Sequence, residues 1–175
     1  MDERLLRIYL ADHLAGSSGG SSLANRIARE NDGNEYGHEM AQIARQIEED
    51  RESLQRIMET VGARKRRWRQ AGAWMGEKAM RLKPNGRLFG YSPLSRVLEL
   101  EAIIMGVTGK VQLWRGLKGL AERDSRLSSE QIARLEGRAE DQRKRLESLH
   151  SSAAAEAFIE TRPAAGGRVG SGELV

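Results

Sequence analysis

Apolar residues recur at alternating spacings of four and three over long stretches of this chain, and that repeat limits what it can fold into more than any other feature. The clearest case is Tyr36, Met40, Ile43, Ile47, Asp50, Leu54, Ile57 and Val61. An α-helix turns once in 3.6 residues, so this spacing puts all eight side chains on one helical face. Prolines stand only at 84, 93 and 163, which leaves the window free of helix breakers. The pattern predicts a helix over 36–61. The turn residues Asn31, Asp32, Gly33 and Asn34 precede it, and Gly62 closes it.

Two more stretches carry the same repeat. Ser92 is placed to cap a helix with Pro93 at its first position, and Val97, Leu100, Ile104, Val107, Val111 and Trp114 form its main stripe. Leu94, Leu98, Ile103, Met105 and Leu113 extend the apolar character around most of its circumference, which predicts the most buried helix of the fold. A further helix begins after Leu127, with Ser128 as cap and Gln131 at the capping-box position. Its buried face is expected at Ile132, Leu135, Ala139, Gln142, Leu146, Leu149 and Ala153.

The N-terminal stretch is ambiguous on its face. GSSGGSS, within residues 11–26, has the composition of a flexible linker. Leu6, Tyr9, His13, Gly16, Gly20, Leu23 and Ile27 nevertheless keep the helical phase straight through it. A linker has no reason to keep its two flanks in phase, so the reading is one helix over 3–30. Small residues on the stripe would let two helix backbones approach closely. Each interior glycine weakens the helix by about 1 kcal/mol relative to alanine, so tertiary packing must hold it.

Four helices of 26–30 residues would each be about 40–45 Å long. Matched lengths predict an all-α four-helix bundle, a single domain over 1–160 with a disordered tail over 161–175. The connection over 63–92 is too long for a hairpin loop. Its first part, 64–81, is helix-compatible, and a long crossover between the second and third helices is ferritin-like connectivity. The segments DHLAGSSGG, IEEDRESL, the basic crossover and SPLSRVLELE give the chain a likeness over about 6–160. It resembles uncharacterised bacterial helical proteins of ferritin-like architecture, which implies that bundle and no stated activity.

Ferritin-like oxidases build their metal site from helix carboxylates and two Glu-x-x-His pairs. Two such pairs occur, Glu35 with His38 and Glu147 with His150. In an antiparallel bundle they fall about eight residues, or ~12 Å, apart along the axis. The two ions of a dinuclear site lie only ~3.5–4 Å apart, so the pairs cannot share one. A different set of polar residues sits on or beside the apolar stripes: His13, Asp50, Glu101 and Gln142. His13 and Asp50 are expected as near neighbours in mid-bundle. As a hydrogen-bonded polar layer they would fix helix register. As a ligand set, His13, Asp50 and Glu101 would be a sparse metal or small-ligand site, so no cofactor is assigned. Gly106-Val-Thr-Gly-Lys110 lacks the spacing of a phosphate loop.

Charge is unevenly spread. Residues 64–87 hold nine basic residues and one acid, against a net charge of +4 for the whole chain. Arg64, Lys65, Arg66, Arg67, Trp68, Arg69, Lys78 and Arg81 make a candidate patch for an anionic partner, a membrane surface or a nucleic acid. Packing of its apolar face, Trp68, Ala71, Met75, Ala79 and Leu82, on the bundle is the alternative. The chain lacks cysteine, which excludes disulfides and thiolate sites. No signal peptide or membrane span is expected, and the expected location is cytoplasmic. These features point to a non-enzymatic scaffold or interaction protein that pairs as a homodimer. A degenerate ferritin-like ligand binder and a peripheral anionic-surface binder stay open beside it.

Overall fold

The computed structural model describes residues 2–63 and 91–159. They form four helices: α1 (Glu3–Glu30), α2 (Glu35–Thr60), α3 (Pro93–Ala121) and α4 (Ser129–Phe158). The basic crossover patch and the C-terminal tail lie outside the described residues.

Local chemistry sets the ends. The Asp2 carboxylate accepts from the backbone N–H groups of Arg4 (2.9 Å) and Leu5 (3.1 Å). Asn34 accepts from Gly37 N–H, Ser92 from Ser95 N–H and Ser128 from Gln131 N–H. Each bond satisfies a donor that the first turn leaves without a partner. At the end of α2, Gly62 takes φ +73°. Ala63 N–H then reaches back to Met58 O and Gly62 N–H to Glu59 O, a Schellman closure that needs a residue without a Cβ penalty. α1 runs through Gly19 and Gly20 without a break.

α1 and α2 form one antiparallel hairpin, α3 and α4 the other. Arg26 of α1 meets Glu99 of α3, and the Tyr9 hydroxyl approaches Gly116, so α1 and α3 are antiparallel neighbours. Tyr36 meets Glu156 and Glu49 meets Arg138, so α2 and α4 are antiparallel too. It follows that α2 and α3 lie diagonally and run parallel, as Asn31 to Tyr91 at one level and Asp50 to Lys110 at the next require. Ala63 and Tyr91 therefore lie at opposite ends of the bundle, roughly 40 Å apart at 1.5 Å per residue.

On α2 and α4 the expected stripes are buried, Tyr36 to Ile57 and Ile132 to Ala153, and α2 buries Gly37, Ala44, Ser53 and Met58 beside its stripe. α1 differs. Its fully buried residues are Leu10, Leu14, Ala24 and Ile27, a face turned by roughly 65° at 100° per residue from the expected one. Ile27 is common to both, and Leu6 and Leu23 keep partly buried contact with the core. Tyr9 and Gly16 are exposed, and His13 is only half-buried. Too few large apolar side chains between Leu14 and Leu23 distinguish the two faces by sequence, and packing on α2 and α3 chooses. The expected role of Gly20 in close packing is also corrected: a Cβ built at Gly19 or Gly20 meets nothing within 4 Å. α3, finally, is not buried all round. Leu94, Leu98 and Met105 are 50%, 48% and 67% exposed, because a corner helix with two neighbours leaves its outer side open.

The core has two apolar halves. One gathers Leu10, Leu14, Leu54, Trp114, Leu117 and Ile132 near the α3–α4 turn. The other gathers Ile27, Met40, Ile43, Leu100, Ile103 and Leu146 near the α1–α2 turn.

Candidate functional site

A polar layer lies between those two halves. Asp50 sits on the core stripe of α2 with its side chain 2% exposed. Lys110 Nζ, on α3, donates to Asp50 Oδ2 at 2.6 Å and also to Gln142 Oε1. Gln142, fully buried on α4, donates through Nε2 to Asp50 Oδ2 at 3.2 Å. One turn earlier on α4, Arg138 donates through Nε (2.8 Å) and Nη2 to Asp50 Oδ1, and through Nη1 to Glu49 at 2.7 Å. Both carboxylate oxygens are thus taken by N–H donors from two other helices. Burial holds the Lys110 ammonium below the usual lysine range, and Asp50 only partly restores it.

The layer therefore contains Asp50 and Gln142, as the sequence suggested, together with Lys110 and Arg138, which sequence reasoning did not assign to it. Lys110 left a signal: it ends the charge-free run Ala102–Gly109 on the most apolar helix, where a lone cation needs a buried partner. His13 is not among the groups bonded to Asp50. Its ring meets Tyr9 edge-on at 4.7 Å, and burial lowers its pKa from the ordinary value. Glu101 lies on the outside of the bundle, paired with His150 at 3.1 Å. His38 bonds Gln42, and Glu147 bonds Arg143. Among the described residues no three His, Asp or Glu side chains gather as metal ligands. Asp50 already faces two cations, Lys110 and Arg138, a setting that does not suit a metal ligand.

A second polar group closes the end of the bundle beside the α1–α2 turn. Buried Asn31 donates to Tyr91 Oη (2.9 Å) and accepts from Arg96 Nε (2.8 Å). Arg96 stacks over the Tyr36 ring at 4.3 Å and pairs with Glu156, which also accepts from Tyr36. These bonds tie all four helices at one end.

No protein-family model, curated protein or solved structure matches this chain. What the chain offers a partner is its surfaces.

Those surfaces are unlike one another. Along the α2/α4 side, Arg138 bridges to Glu49, while Arg145 bonds Glu39, Asp141, Gln42 and Gln46. The α1/α3 side is the opposite. α1 carries no charge between Asp12 and Arg26, and α3 none between Glu101 and Lys110. Of the exposed large apolar side chains, Leu5, Ile8 and Tyr9 are on α1 and Leu94, Leu98 and Met105 on α3. Phe158 and Ile159 end α4, and α2 has none among the described residues. No described helix is long and apolar enough to cross a membrane.

Proposed function

We propose that this chain is a non-enzymatic helical interaction module of the cytoplasm, with ferritin-like connectivity, that docks a partner on the outer face of α1 and α3. One observation carries the reading: among the described residues, six of the eight exposed large apolar side chains are on those two helices, with Met105 inside the uncharged run of α3. Leu5, Ile8 and Tyr9 stand level with Gly116 at one end of the pair, and Leu94 and Leu98 level with Arg26 at the other. Grouped apolar surface marks an interaction site, whereas singly scattered exposed residues need no explanation. The parallel course of α2 and α3 supports the ferritin-like connectivity. The polar layer serves the fold, by setting the register of α2, α3 and α4, and is left out of the docking function.

The test is retention of dilute protein on a phenyl-substituted matrix. A variant carrying Leu98→Glu and Met105→Glu should be retained much less than the natural chain at an unchanged melting temperature. Equal retention of the two would remove the docking reading.

A further inference from the structure

The outer side of α3 carries its large and small residues in complementary halves. Leu94, Leu98 and Met105 lie toward its N-terminus, and Gly109, Gly116 and Gly119 toward its C-terminus. A Cβ built at Gly109 or Gly119 meets nothing within 4 Å, and one at Gly116 meets only the Tyr9 hydroxyl, at 3.8 Å. The glycine half is a row of shallow open notches.

The two halves mirror each other about Val107. Leu98 stands nine residues before it and Gly116 nine after, and Met105 and Gly109 stand two before and two after. We infer that the partner is a second copy of this chain, docked α3 against α3 in antiparallel sense with the two-fold axis passing beside Met105 and Gly109. This rests on the docking-face reading above. In that pairing Leu98 fills the notch at the partner's Gly116, and Met105 fills the one at the partner's Gly109. Each contact occurs twice, as an isologous interface requires.

Charge follows nearly the same symmetry, Glu101 standing six residues before Val107 and Arg115 eight after it. Glu101 and Arg115 are fourteen residues apart, which is four helical turns, so they project from the same edge of α3. The two-fold brings Glu101 beside the partner's Arg115. Both side chains are half exposed, at 50% each. Within the chain they already hold His150 on the one side and Glu136 and Glu140 on the other, so the cross-pair fixes orientation more than it adds affinity. α3 alone offers a strip some 40 Å long and ~10 Å wide, about 400 Å² per partner, the size of a weak, transient interface.

Sedimentation equilibrium of the full chain, combined with single-cysteine variants, tests the pairing. The chain has no cysteine of its own, so Met105→Cys, near the axis, should form a disulfide-linked dimer under mild oxidation. Ser151→Cys, exposed on α4, should not. Glu101→Arg and Arg115→Glu should each weaken the dimer at least tenfold, and the two together should recover most of that loss. Recovery by the double exchange is an effect that a merely structural role would not produce.

A chain that stays monomeric at every concentration, with Met105→Cys not cross-linked, overturns the second copy as partner. If its phenyl retention still depends on Leu98 and Met105, the docking face survives for another occupant, residues 64–90 included. A dimer unaffected by Leu98→Glu and Met105→Glu overturns the inference as well, and equal retention then removes the docking reading with it.

Discussion

Asp50 Oδ2 and Lys110 Nζ lie 2.6 Å apart at the level where the two apolar halves of the core meet. Asp50→Ala leaves Lys110 and Arg138 facing each other without their shared anion. Breaking a buried pair in this way costs about 3–5 kcal/mol. Urea denaturation should show a loss of that size. Asp50→Leu combined with Lys110→Met and Gln142→Leu should lose far less, because apolar replacement of a whole buried network is often neutral or better. A triple variant as unstable as Asp50→Ala alone would mean that the layer contributes net stability.

Gly37 and Gly20 are both helical glycines with opposite expected responses. A Cβ at Gly37 would collide with the Asn31 carbonyl, a backbone atom that cannot swing away, so Gly37→Ala should destabilise by roughly 1–3 kcal/mol. Gly19→Ala and Gly20→Ala fill open space and should each stabilise by about 0.5–1 kcal/mol. Melting temperatures of the three variants check both signs. A destabilised Gly20→Ala would show that something packs on that turn of α1.

His13 should make the fold acid-sensitive. Burial lowers its pKa below the ordinary 6.5, against a smaller opposing effect of Asp12. The unfolded chain therefore binds this proton more readily than the folded one. Its contribution to stability is complete above pH 6.5 and falls as the pH drops through 6.5 toward the lower folded value. His13→Gln should flatten the change in urea midpoint between pH 7 and pH 5. An unchanged slope would mean that other groups carry the acid sensitivity.

Asn31 makes three side-chain bonds from a site 2% exposed: to Ile27 O, to Tyr91 Oη and from Arg96 Nε. Asn31→Ala leaves these groups short of a partner, at about 1–3 kcal/mol for a buried polar group. Hydrogen exchange should speed up at the start of α3 and in the α1–α2 turn, and change little beside Trp114 at the far end. Uniform acceleration over the whole bundle would show that the cluster supports global stability rather than the end it closes.

Much of the fold was legible in the residues, and the reason differs by helix. On α2 and α4 large apolar and polar side chains alternate strongly, so the 3.6-residue period names the core face directly. Leu135, Ala139 and Gln142 are buried as their spacing required. On α1 the period revealed the helix but not its rotation, because Gly16–Ser22 has no large side chain to mark a face. That partial rotation leaves His13 half-buried and outside the polar layer it was expected to join. On α3, apolar nearly all round, periodicity could not say which side remains open.

The sequence by itself determined where the helices start and stop, since caps, turn glycines and prolines act through bonds within a few residues of themselves. It also determined that Asp50 and Gln142 would be interior. Which cations meet Asp50 was decided by tertiary structure alone: Lys110 and Arg138 are 60 and 88 residues away, and it takes α3 running parallel to α2 and α4 antiparallel to it to bring them to one level. The uncharged α1/α3 face is likewise a tertiary property. Two separate charge-free runs become one surface because antiparallel packing sets them side by side, a relationship that no local spacing encodes.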